Sequence, residues 1–192
     1  MYQTTFKPLF DFCFAVVLSV LLFPLFVLLL LVLLIHFRQN PFFIQTRIGL
    51  CEKAFSILKF RTMRDSKNLH GELLSDEKRT TKLGSFFRNS GLDELPQLVN
   101  IIKGEMSFIG PRPLLPEYLP LYDSFSRKRH SAKPGITGLA QINGGNGLEW
   151  KKRFELDVRY IETISLQMDL TILVKTFLKF GQLNGKNVGA LK

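Results

Sequence analysis

The chain has 192 residues and a formal net charge of +10, which suits one compact domain with a membrane anchor better than two domains. Among residues 1–37 the charged groups are Lys7 and Asp11, so the whole positive excess lies in residues 38–192. The two cysteines, Cys13 and Cys51, make neither a metal-ligand pattern nor a disulfide framework. This cysteine usage indicates a reduced domain that faces the cytoplasm.

The location of the positive charge predicts anionic partners. A basic domain behind an apolar anchor is attracted to anionic lipid headgroups, and the same field attracts phosphorylated substrates. Nucleic acid is the competing partner, but the sequence has no zinc-finger spacing, no RNA-binding aromatic motif and no basic helix of the usual kinds. We therefore expect membrane lipids and phosphorylated ligands as partners, and no nucleic acid.

The N-terminal segment is predicted to be a retained membrane element. Residues 12–37 contain no charged side chain, and as a straight helix they would reach roughly 39 Å, more than the ~30 Å hydrocarbon core. A cleaved signal peptide fits poorly because the apolar stretch is too long and no small-residue cleavage site follows it. We expect residues 1–37 to form the membrane-embedded helix and residues 38–192 a cytoplasmic domain.

Pro24 lies near the middle of this segment and predicts a kink, since it removes one backbone hydrogen bond and clashes with the preceding turn. A tilted, kinked single span is one interpretation, because transmembrane helices tolerate proline. The alternative is a helix–break–helix that enters and leaves the same leaflet. The residues alone favour the span.

After the anchor, residues 42–46 and 54–60 have the pattern of two short strands, with Gly49 in the connection, which predicts a β-hairpin. Residues 64–80 are polar and contain glycine, so they predict a loop. One or two helical turns are expected over residues 83–88.

A helix is predicted after Ser90 and Gly91, because Leu95, Leu98, Val99 and Ile102 fall at helical spacing and Gly104 follows as a stop. This helix would place Asp93 and Glu94 at its N-terminus. That position stabilises carboxylates and any phosphate brought close to them.

The remaining elements are predicted to be mostly helical, which gives an α+β fold. Residues 106–113 indicate a short extended run that ends in a rigid turn between two prolines. A helix is expected over residues 116–130 and a loop over residues 133–147. Two further helices are predicted at 148–163 and 166–180, and the last has a mixed apolar and basic face that could lie on a membrane surface.

The candidate reactive residues are the carboxylate pair Asp93 and Glu94. Arg112, held between two prolines, and Arg88 are the basic residues considered with them. By itself, an Asp-Glu pair at a helix start is most often an ordinary N-terminal turn. Together with a rigidly placed Arg112, the pair indicates a carboxylate nucleophile or metal ligand that faces an anionic substrate. The basic cluster at residues 127–130 is expected to be a solvated surface.

The sequence resembles the monotopic phosphoglycosyl transferases of bacterial glycoconjugate assembly, and in particular the members that begin protein N-glycan assembly. Matching segments appear in the family's order behind the anchor, and matches continue to residues 184–187. The four matching segments are KFRTM at 59–63, LDELPQL at 92–98, GEMSFIGPRP at 104–113 and PGITGLAQ at 134–141.

The resemblance implies a two-step mechanism. Asp93 would attack the sugar-bearing phosphate of a UDP-sugar and release UMP, and polyprenyl (undecaprenyl) phosphate would then attack the phosphosugar adduct. Glu94 would assist in proton or metal handling, with Asp93 and Glu94 as ligands of Mg²⁺. The expected phosphate contacts are Arg112, Arg88 and Lys59. Asp157 lies at a matching family position and is a candidate supporting residue, although an ordinary surface carboxylate is an equal alternative.

The resemblance also implies a re-entrant apolar segment at the cytoplasmic face of the bacterial inner membrane, and it favours UDP-N,N′-diacetylbacillosamine as donor. Two other functions remain open: a catalytically silent membrane-anchored adaptor that binds through its basic face, and a metal-dependent glycosyltransferase that moves the sugar alone and releases UDP.

Overall fold

The computed structural model describes the backbone of residues 1–187 and the side chains of residues 1–179. Within this part of the chain the fold is mostly helical α+β with two small two-stranded sheets, which confirms the predicted fold class. In chain order the elements are α1 (Lys7–Leu21), α2 (Phe23–Phe37), β1 (Phe42–Ile48), β2 (Ala54–Phe60), α3 (Asp76–Arg79), α4 (Lys82–Ser90), α5 (Leu98–Ile102), β3 (Ser107–Ile109), α6 (Ser124–Arg127), β4 (Gly135–Thr137), α7 (Leu139–Ile142), α8 (Trp150–Glu162) and α9 (Leu166–Asn187).

The N-terminal element is two helices separated by a break. Leu22 leaves helical geometry, with φ −90° and ψ 1°, and α2 begins at the next residue with Pro24 in its first turn. A proline is well placed there because a first-turn residue has no intrahelical N–H bond to lose. The kink predicted from Pro24 is therefore confirmed. By length and composition, one helix of the described chain could cross a membrane, the helical run Tyr2–Leu21, whereas α2 is apolar but shorter.

Both halves of the N-terminal element pack against the rest of the protein. Each of the two helices contributes to its own hydrophobic cluster. The first cluster contains Ala15 of α1 with Ile57, Leu98, Ile101 and Met106. The second contains Leu29, Leu33 and Phe37 of α2 with Phe60 and Phe87. The core thus joins side chains from both sides of residue 37.

The predicted hairpin is confirmed. β1 and β2 pair antiparallel, from Phe42 opposite Phe60 to Ile48 opposite Ala54, and β1 continues two residues beyond its predicted end. The Phe42–Phe60 pair at one end of the hairpin lies in the Phe-rich cluster of α2 and α4, whereas Ile57, on the opposite face of β2, lies in the first cluster. Residues 64–80 are largely irregular as predicted, but they include the short helix α3.

The second sheet was not predicted. β3 and β4 pair parallel, with Ser107 opposite Gly135 and Ile109 opposite Thr137. A Cβ on Gly110 would lie 2.3 Å from the carbonyl oxygen of Lys133, so glycine is required for this close approach. The prediction of a loop over 133–147 was wrong, because that segment contains β4 and α7.

The single helix predicted over residues 116–130 is also wrong, since the structure has three short pieces there. A 3₁₀ segment, Pro116–Leu121, is followed by α6 and by a second 3₁₀ segment, Lys128–Ser131. Asp123 starts α6 as its cap, accepting a 2.7 Å hydrogen bond from the Ser126 N–H. A side-chain cap inside the predicted helix, together with two prolines, explains the interruption.

The two C-terminal helices are confirmed, and α9 continues to Asn187, beyond the predicted end. Helix α9 is tied to the start of α1 by a buried ion pair, with Lys7 Nζ 2.7 Å from Asp169 Oδ2. The hydroxyl groups of Tyr2 and Tyr160 also donate to this carboxylate, each at 2.8 Å. The N-terminal element and α9 therefore share one buried polar contact.

Candidate active site

An open cleft of about 910 Å³ lies between the β1–β2 hairpin, the segment after α4, the turn after β3 and the middle of α9. Its charged lining is mainly basic. The cations are Arg47, Lys59, Arg61, Arg79, Arg88, Arg112 and Lys179, and the carboxylates are Asp65, Asp76, Asp93 and Glu94. A concave surface with this excess of positive charge attracts anionic ligands.

The carboxylate pair lies in a tight turn at the base of this cleft. Helix α4 ends at Gly91, whose φ of 69° suits glycine, and the 3₁₀ segment Leu92–Gln97 follows. Asp93 and Glu94 occupy its first turn, and the α-helical geometry begins only at Leu98. The helix predicted to begin at this point is therefore 3₁₀ over its first six residues, with Pro96 inside it.

Asp93 is a buried carboxylate that faces three cations. Its residue exposure is 8%. Burial raises the pKa of Asp93 to about 6 and the charge of Glu94 adds to this, while Lys59, Arg88 and Arg112 act in the opposite direction. At neutral pH the group is mostly ionised, yet it is poorly solvated. A carboxylate in that state is a better nucleophile than one in water.

Glu94 has the opposite electrostatic character. Its Oε1 accepts a 2.6 Å bond from Lys59 Nζ and a 3.3 Å bond from Arg112 Nη2. Burial alone would raise the pKa of Glu94, but Lys59 and Arg112 outweigh burial and hold the pKa below its ordinary value. Neighbouring carboxylates whose pKa values are pushed apart are typical of sites with two separate roles.

Arg88 reaches the cleft because α4 packs closely on the segment after β2. A Cβ on Gly84 would lie 1.8 Å from the carbonyl oxygen of Thr62, so no larger residue fits. Arg88 then donates from Nε to Thr62 Oγ1 at 3.0 Å and from Nη2 to Met63 Sδ at 3.0 Å. Both acceptors are neutral, which leaves the positive charge of Arg88 for an anion.

Arg112 is held through its backbone. It stands between Pro111 and Pro113, and its carbonyl oxygen accepts a 2.7 Å bond from Arg129 Nη2. Arg129 in turn donates to Asp157 Oδ2 from Nη2 at 2.8 Å and from Nε at 3.1 Å. The rigid turn predicted around Arg112 is therefore supported by a buried ion pair.

One prediction about this support was wrong, and one alternative is excluded. Arg129 and His130 are 2% and 6% exposed, so the basic cluster at residues 127–130 is not simply a solvated surface. Asp157 is 2% exposed, which excludes the surface-carboxylate alternative. Asp157 lines a second cavity of about 180 Å³ that shares Arg112 with the main cleft. It lies behind Arg112 and is not one of the residues that line the main cleft.

Sequence reasoning missed several of the basic residues in the cleft, of which Arg47 is the most informative. Arg47 donates to Gln45 Oε1 at 2.6 Å and to the Pro113 carbonyl at 3.4 Å, and its Nε is buried with no hydrogen-bond partner among the described residues. Burial lowers the pKa of Arg47, and the charge of Arg112 adds to this. The period-two pattern of β1 places Phe43, Gln45 and Arg47 on one strand face, and that signal could have found it.

The site could hold a divalent ion through two carboxylates. Among the described side chains no group of three or more His, Cys, Asp or Glu residues forms a ready metal site. Mg²⁺ does not need such a cage, because proteins usually bind it through one or two carboxylates together with substrate phosphates and water. Both bonds to Glu94 go to Oε1, so Asp93 and the second oxygen of Glu94 fit this requirement.

The sequence is similar to several curated bacterial proteins. It is 47% identical over 173 residues to the uncharacterized sugar transferase EpsL of Bacillus subtilis (strain 168), covering 90% of this chain and 86% of that protein. It is 37% identical over 187 residues to the exopolysaccharide production protein ExoY of Sinorhizobium fredii (strain NBRC 101917 / NGR234), covering 88% and 83% respectively.

A third relative carries a name that states a reaction. The UDP-glucose:undecaprenyl-phosphate glucose-1-phosphate transferase of Xanthomonas campestris pv. campestris is 37% identical over 187 residues, and the match covers 91% of this chain but 38% of that longer protein. The family described as bacterial sugar transferase matches residues 2–182. That match includes both halves of the N-terminal element and every residue of the cleft, and the chain belongs to the bacterial sugar transferase family.

Proposed function

We propose that the protein transfers a phosphosugar from a UDP-sugar to polyprenyl phosphate and releases UMP. The observation that carries the proposal is a buried, ionisable Asp93 at the base of a cleft lined by cations. Relatives named UDP-glucose:undecaprenyl-phosphate glucose-1-phosphate transferase, from Xanthomonas campestris pv. campestris, Escherichia coli (strain K12) and Klebsiella pneumoniae, support the same class of reaction.

In the first step a carboxylate oxygen of Asp93 forms a bond to the β-phosphorus, which carries the sugar. The bond between that phosphorus and the oxygen that bridges to the α-phosphorus breaks, and UMP leaves with the electron pair. Phosphoryl transfer depends chiefly on positioning and on stabilising the negative charge. Arg112, Arg88 and Lys59 are the cations that we assign to the phosphate oxygens.

In the second step an oxygen of polyprenyl phosphate attacks the same phosphorus. The bond to Asp93 breaks, the carboxylate is regenerated and the product is a polyprenyl diphosphate sugar. Two anions meet in each step, so the reaction requires positive charge in the cleft.

Glu94 is assigned a positioning role. The bonds from Lys59 and Arg112 keep Glu94 anionic, and a carboxylate with a lowered pKa is a weak general base. In return, Glu94 fixes where these two cations stand beside Asp93. Asp93 and Glu94 would also hold Mg²⁺, whose charge would offset that of the diphosphate.

Asp157 is assigned a supporting role, because it holds Arg129, which holds the carbonyl of Arg112. It acts on the reaction through the position of Arg112 and does not touch the substrate.

The N-terminal element is proposed to be re-entrant at the cytoplasmic face of the bacterial inner membrane. Ala15 of α1 and Leu33 of α2 are both fully buried against the domain that carries the site. A single span would carry the middle of the segment across the bilayer, away from that domain. The opposite faces of both helices expose large apolar side chains that suit lipid, such as Val20 and Ile35.

The donor sugar is open between two expectations. The names of three relatives, from Xanthomonas campestris pv. campestris, Escherichia coli (strain K12) and Klebsiella pneumoniae, specify UDP-glucose, whereas the resemblance to the protein N-glycan members favours UDP-N,N′-diacetylbacillosamine. A panel of UDP-sugars, which also includes UDP-galactose and the UDP-N-acetylhexosamines, decides between them.

The test of the proposed function is to identify the nucleotide product, with Mg²⁺ and polyprenyl phosphate, for the native protein, Asp93→Asn and Asp76→Asn. Asp76 is the control because it is an exposed carboxylate at the rim of the same cleft. UMP from the native protein and from Asp76→Asn, but not from Asp93→Asn, supports the proposal.

Other outcomes contradict the proposal in different ways. Release of UDP indicates a transferase that moves the sugar alone. No product from any donor in the panel favours the silent adaptor. Equal release of UMP by the native protein and Asp93→Asn removes Asp93 as the nucleophile.

A further inference from the structure

Helix α9 presents an apolar face to the outside of the protein. Large apolar side chains recur along it at helical spacing, and each is more than half exposed. We call this set the apolar stripe of α9, and it consists of Leu166 (58%), Leu170 (52%), Val174 (58%), Phe177 (73%) and Leu178 (62%). An exposed stripe of this size on a helix that also carries Lys175 and Lys179 has the composition of a helix at a lipid interface.

A second side of α9 anchors it to the protein. Ile172 is fully buried beside Ile109 and Tyr160, and Asp169 accepts the buried ion pair from Lys7 at the start of α1. Helix α1 also exposes apolar side chains beyond this contact, such as Leu9 and Phe10.

A third side of α9 forms part of the cleft wall. Thr176 and Lys179 line the same cleft as Asp93. The Thr176 hydroxyl lies 2.8 Å from the Thr137 hydroxyl, which fixes the helix against β4. Lys179 Nζ donates to the Gln141 carbonyl at 3.0 Å. An ammonium group has three donors, so this neutral bond leaves Lys179 able to bind an anion in the cleft.

The polyprenyl phosphate acceptor has a particular geometric requirement. Its isoprenoid chain stays in the bilayer, while its phosphate must reach Asp93 in the cleft. The phosphate therefore has to pass where a lipid-facing surface meets the cleft wall. Helix α9 provides such a junction, because Phe177 and Leu178 of the apolar stripe flank Lys179 within one turn. A soluble UDP-sugar has no such requirement.

We propose that Lys179 binds the phosphate of the polyprenyl acceptor where it enters the cleft, and that the apolar stripe of α9 lies in the lipid beside the isoprenoid chain. This inference rests on the proposed function and adds to it an acceptor-specific residue. It assigns Lys179 to the second step, in contrast to Arg88, Arg112 and Lys59, which serve the diphosphate donor in the first.

The first experiment compares Lys179→Gln with Lys175→Gln, an exposed lysine on the same helix that is not part of the cleft lining. Two quantities are measured on the full-length protein in lipid nanodiscs with Mg²⁺: the UMP released in a single turnover without acceptor, and the KM for polyprenyl phosphate. We expect Lys179→Gln to raise the acceptor KM about tenfold, the scale of one charge-assisted contact at a partly exposed site. Its UMP release should match that of Lys175→Gln.

Two results overturn the assignment. An acceptor KM equal to that of Lys175→Gln shows that Lys179 does not bind the acceptor. A reduced single-turnover release of UMP shows that Lys179 serves the donor. If the native protein itself releases no UMP, the proposed function fails first, so the two failures are distinguishable.

The second experiment tests the apolar stripe with Phe177→Gln and two acceptors, long-chain polyprenyl phosphate in nanodiscs and a water-soluble short-chain analogue. Phe177→Gln should raise the KM for the long-chain acceptor only, whereas Lys179→Gln should raise the KM for both. An unchanged KM of Phe177→Gln for the long-chain acceptor overturns the placement of the stripe beside the lipid chain.

Discussion

At the scale of single residues, the site depends on two adjacent carboxylates in unlike environments. Asp93 is buried with its pKa raised to about 6, while Glu94 is bonded to Lys59 and Arg112 with its pKa lowered. The buried, poorly solvated carboxylate of Asp93 suits a group that must form and break a bond to phosphorus. The ion-paired carboxylate of Glu94 suits a group that holds cations in place. The buried charge of Asp93 should lower the free energy of unfolding, because a buried charge with too little compensation destabilises the protein.

This destabilisation by Asp93 gives a prediction for the metal-free protein. The folded-state pKa of Asp93 is raised above its ordinary value of 3.8, so the native protein loses stability as pH rises from about 4 to about 6. Asp93→Asn carries no charge and avoids the loss. We expect the variant to be more stable above pH 6, by up to about 3 kcal/mol, and the difference to disappear below about pH 4.

The measurement is the free energy of unfolding from denaturant curves between pH 4 and pH 8 in EDTA. Asp76→Asn is the control, since that carboxylate is exposed at the cleft rim. A variant Asp93→Asn that is less stable than the native protein at pH 7.5 contradicts the account of a destabilised carboxylate.

Arg112 gives a second prediction at this scale. Arg112→Ala should lower turnover at least about tenfold, because it removes one contact to a charged phosphate. It should leave the protein folded, with a melting temperature lowered only by the loss of the Arg112–Glu94 contact, because Arg129 holds the backbone carbonyl of residue 112 and Lys59 still bonds Glu94. Arg127→Ala, which removes an exposed cation paired with Glu52, is the control. Turnover of Arg112→Ala equal to that of the control removes Arg112 from the site.

At the scale of elements, the N-terminal helices give a topology prediction. If α1 and α2 enter and leave the same leaflet, cysteines at residues 3 and 67 are both labelled from the cytoplasm. Gln3 and Lys67 are suitable positions because both are exposed. A buried position in the domain, such as Phe60, would not react with the label. The native cysteines, Cys13 and Cys51, are replaced first because both are exposed. Periplasmic labelling of Gln3→Cys establishes a span instead.

The elements that sequence predicts well have strong local patterns. The β1–β2 hairpin follows from alternating side chains around Gly49, and α8 and α9 follow from long helical periodicity. The elements that it misses are short or interrupted. β3 lies within the extended run predicted over residues 106–113, but β4 and its pairing with β3 were missed, because the two three-residue strands meet at a separation that no local pattern reveals.

The residues of the site also divide into those with a local sequence signal and those brought together only by folding. Asp93, Glu94, Lys59, Arg88 and Arg112 were predicted, and the structure brings all five to one cleft. For Asp93, Glu94 and Arg112 the residues themselves gave a signal, whereas the family resemblance was needed for Lys59. Arg61, Arg79 and Lys179 were missed because folding brings distant segments of the chain to the cleft, and no local spacing records that approach.

At the scale of the whole molecule, the apolar N-terminal element is part of the core. Ala15, Leu29, Leu33 and Phe37 are buried against the rest of the protein. Protein that lacks residues 1–37 should therefore expose two apolar surfaces and lose the cooperative unfolding of the full chain. The measurement is thermal unfolding in detergent by circular dichroism. A fully folded, soluble fragment 38–192 contradicts this prediction.

The most direct test of the central claim is the donor step without acceptor, followed by the intact mass of the protein. With a UDP-sugar that supports turnover and Mg²⁺, we predict that the native protein gains the mass of one phosphosugar, mapped to Asp93, and that polyprenyl phosphate then removes it. Asp93→Asn should gain nothing. Product formation by a native protein that never carries the adduct would contradict the account, because the acceptor would then attack the donor directly.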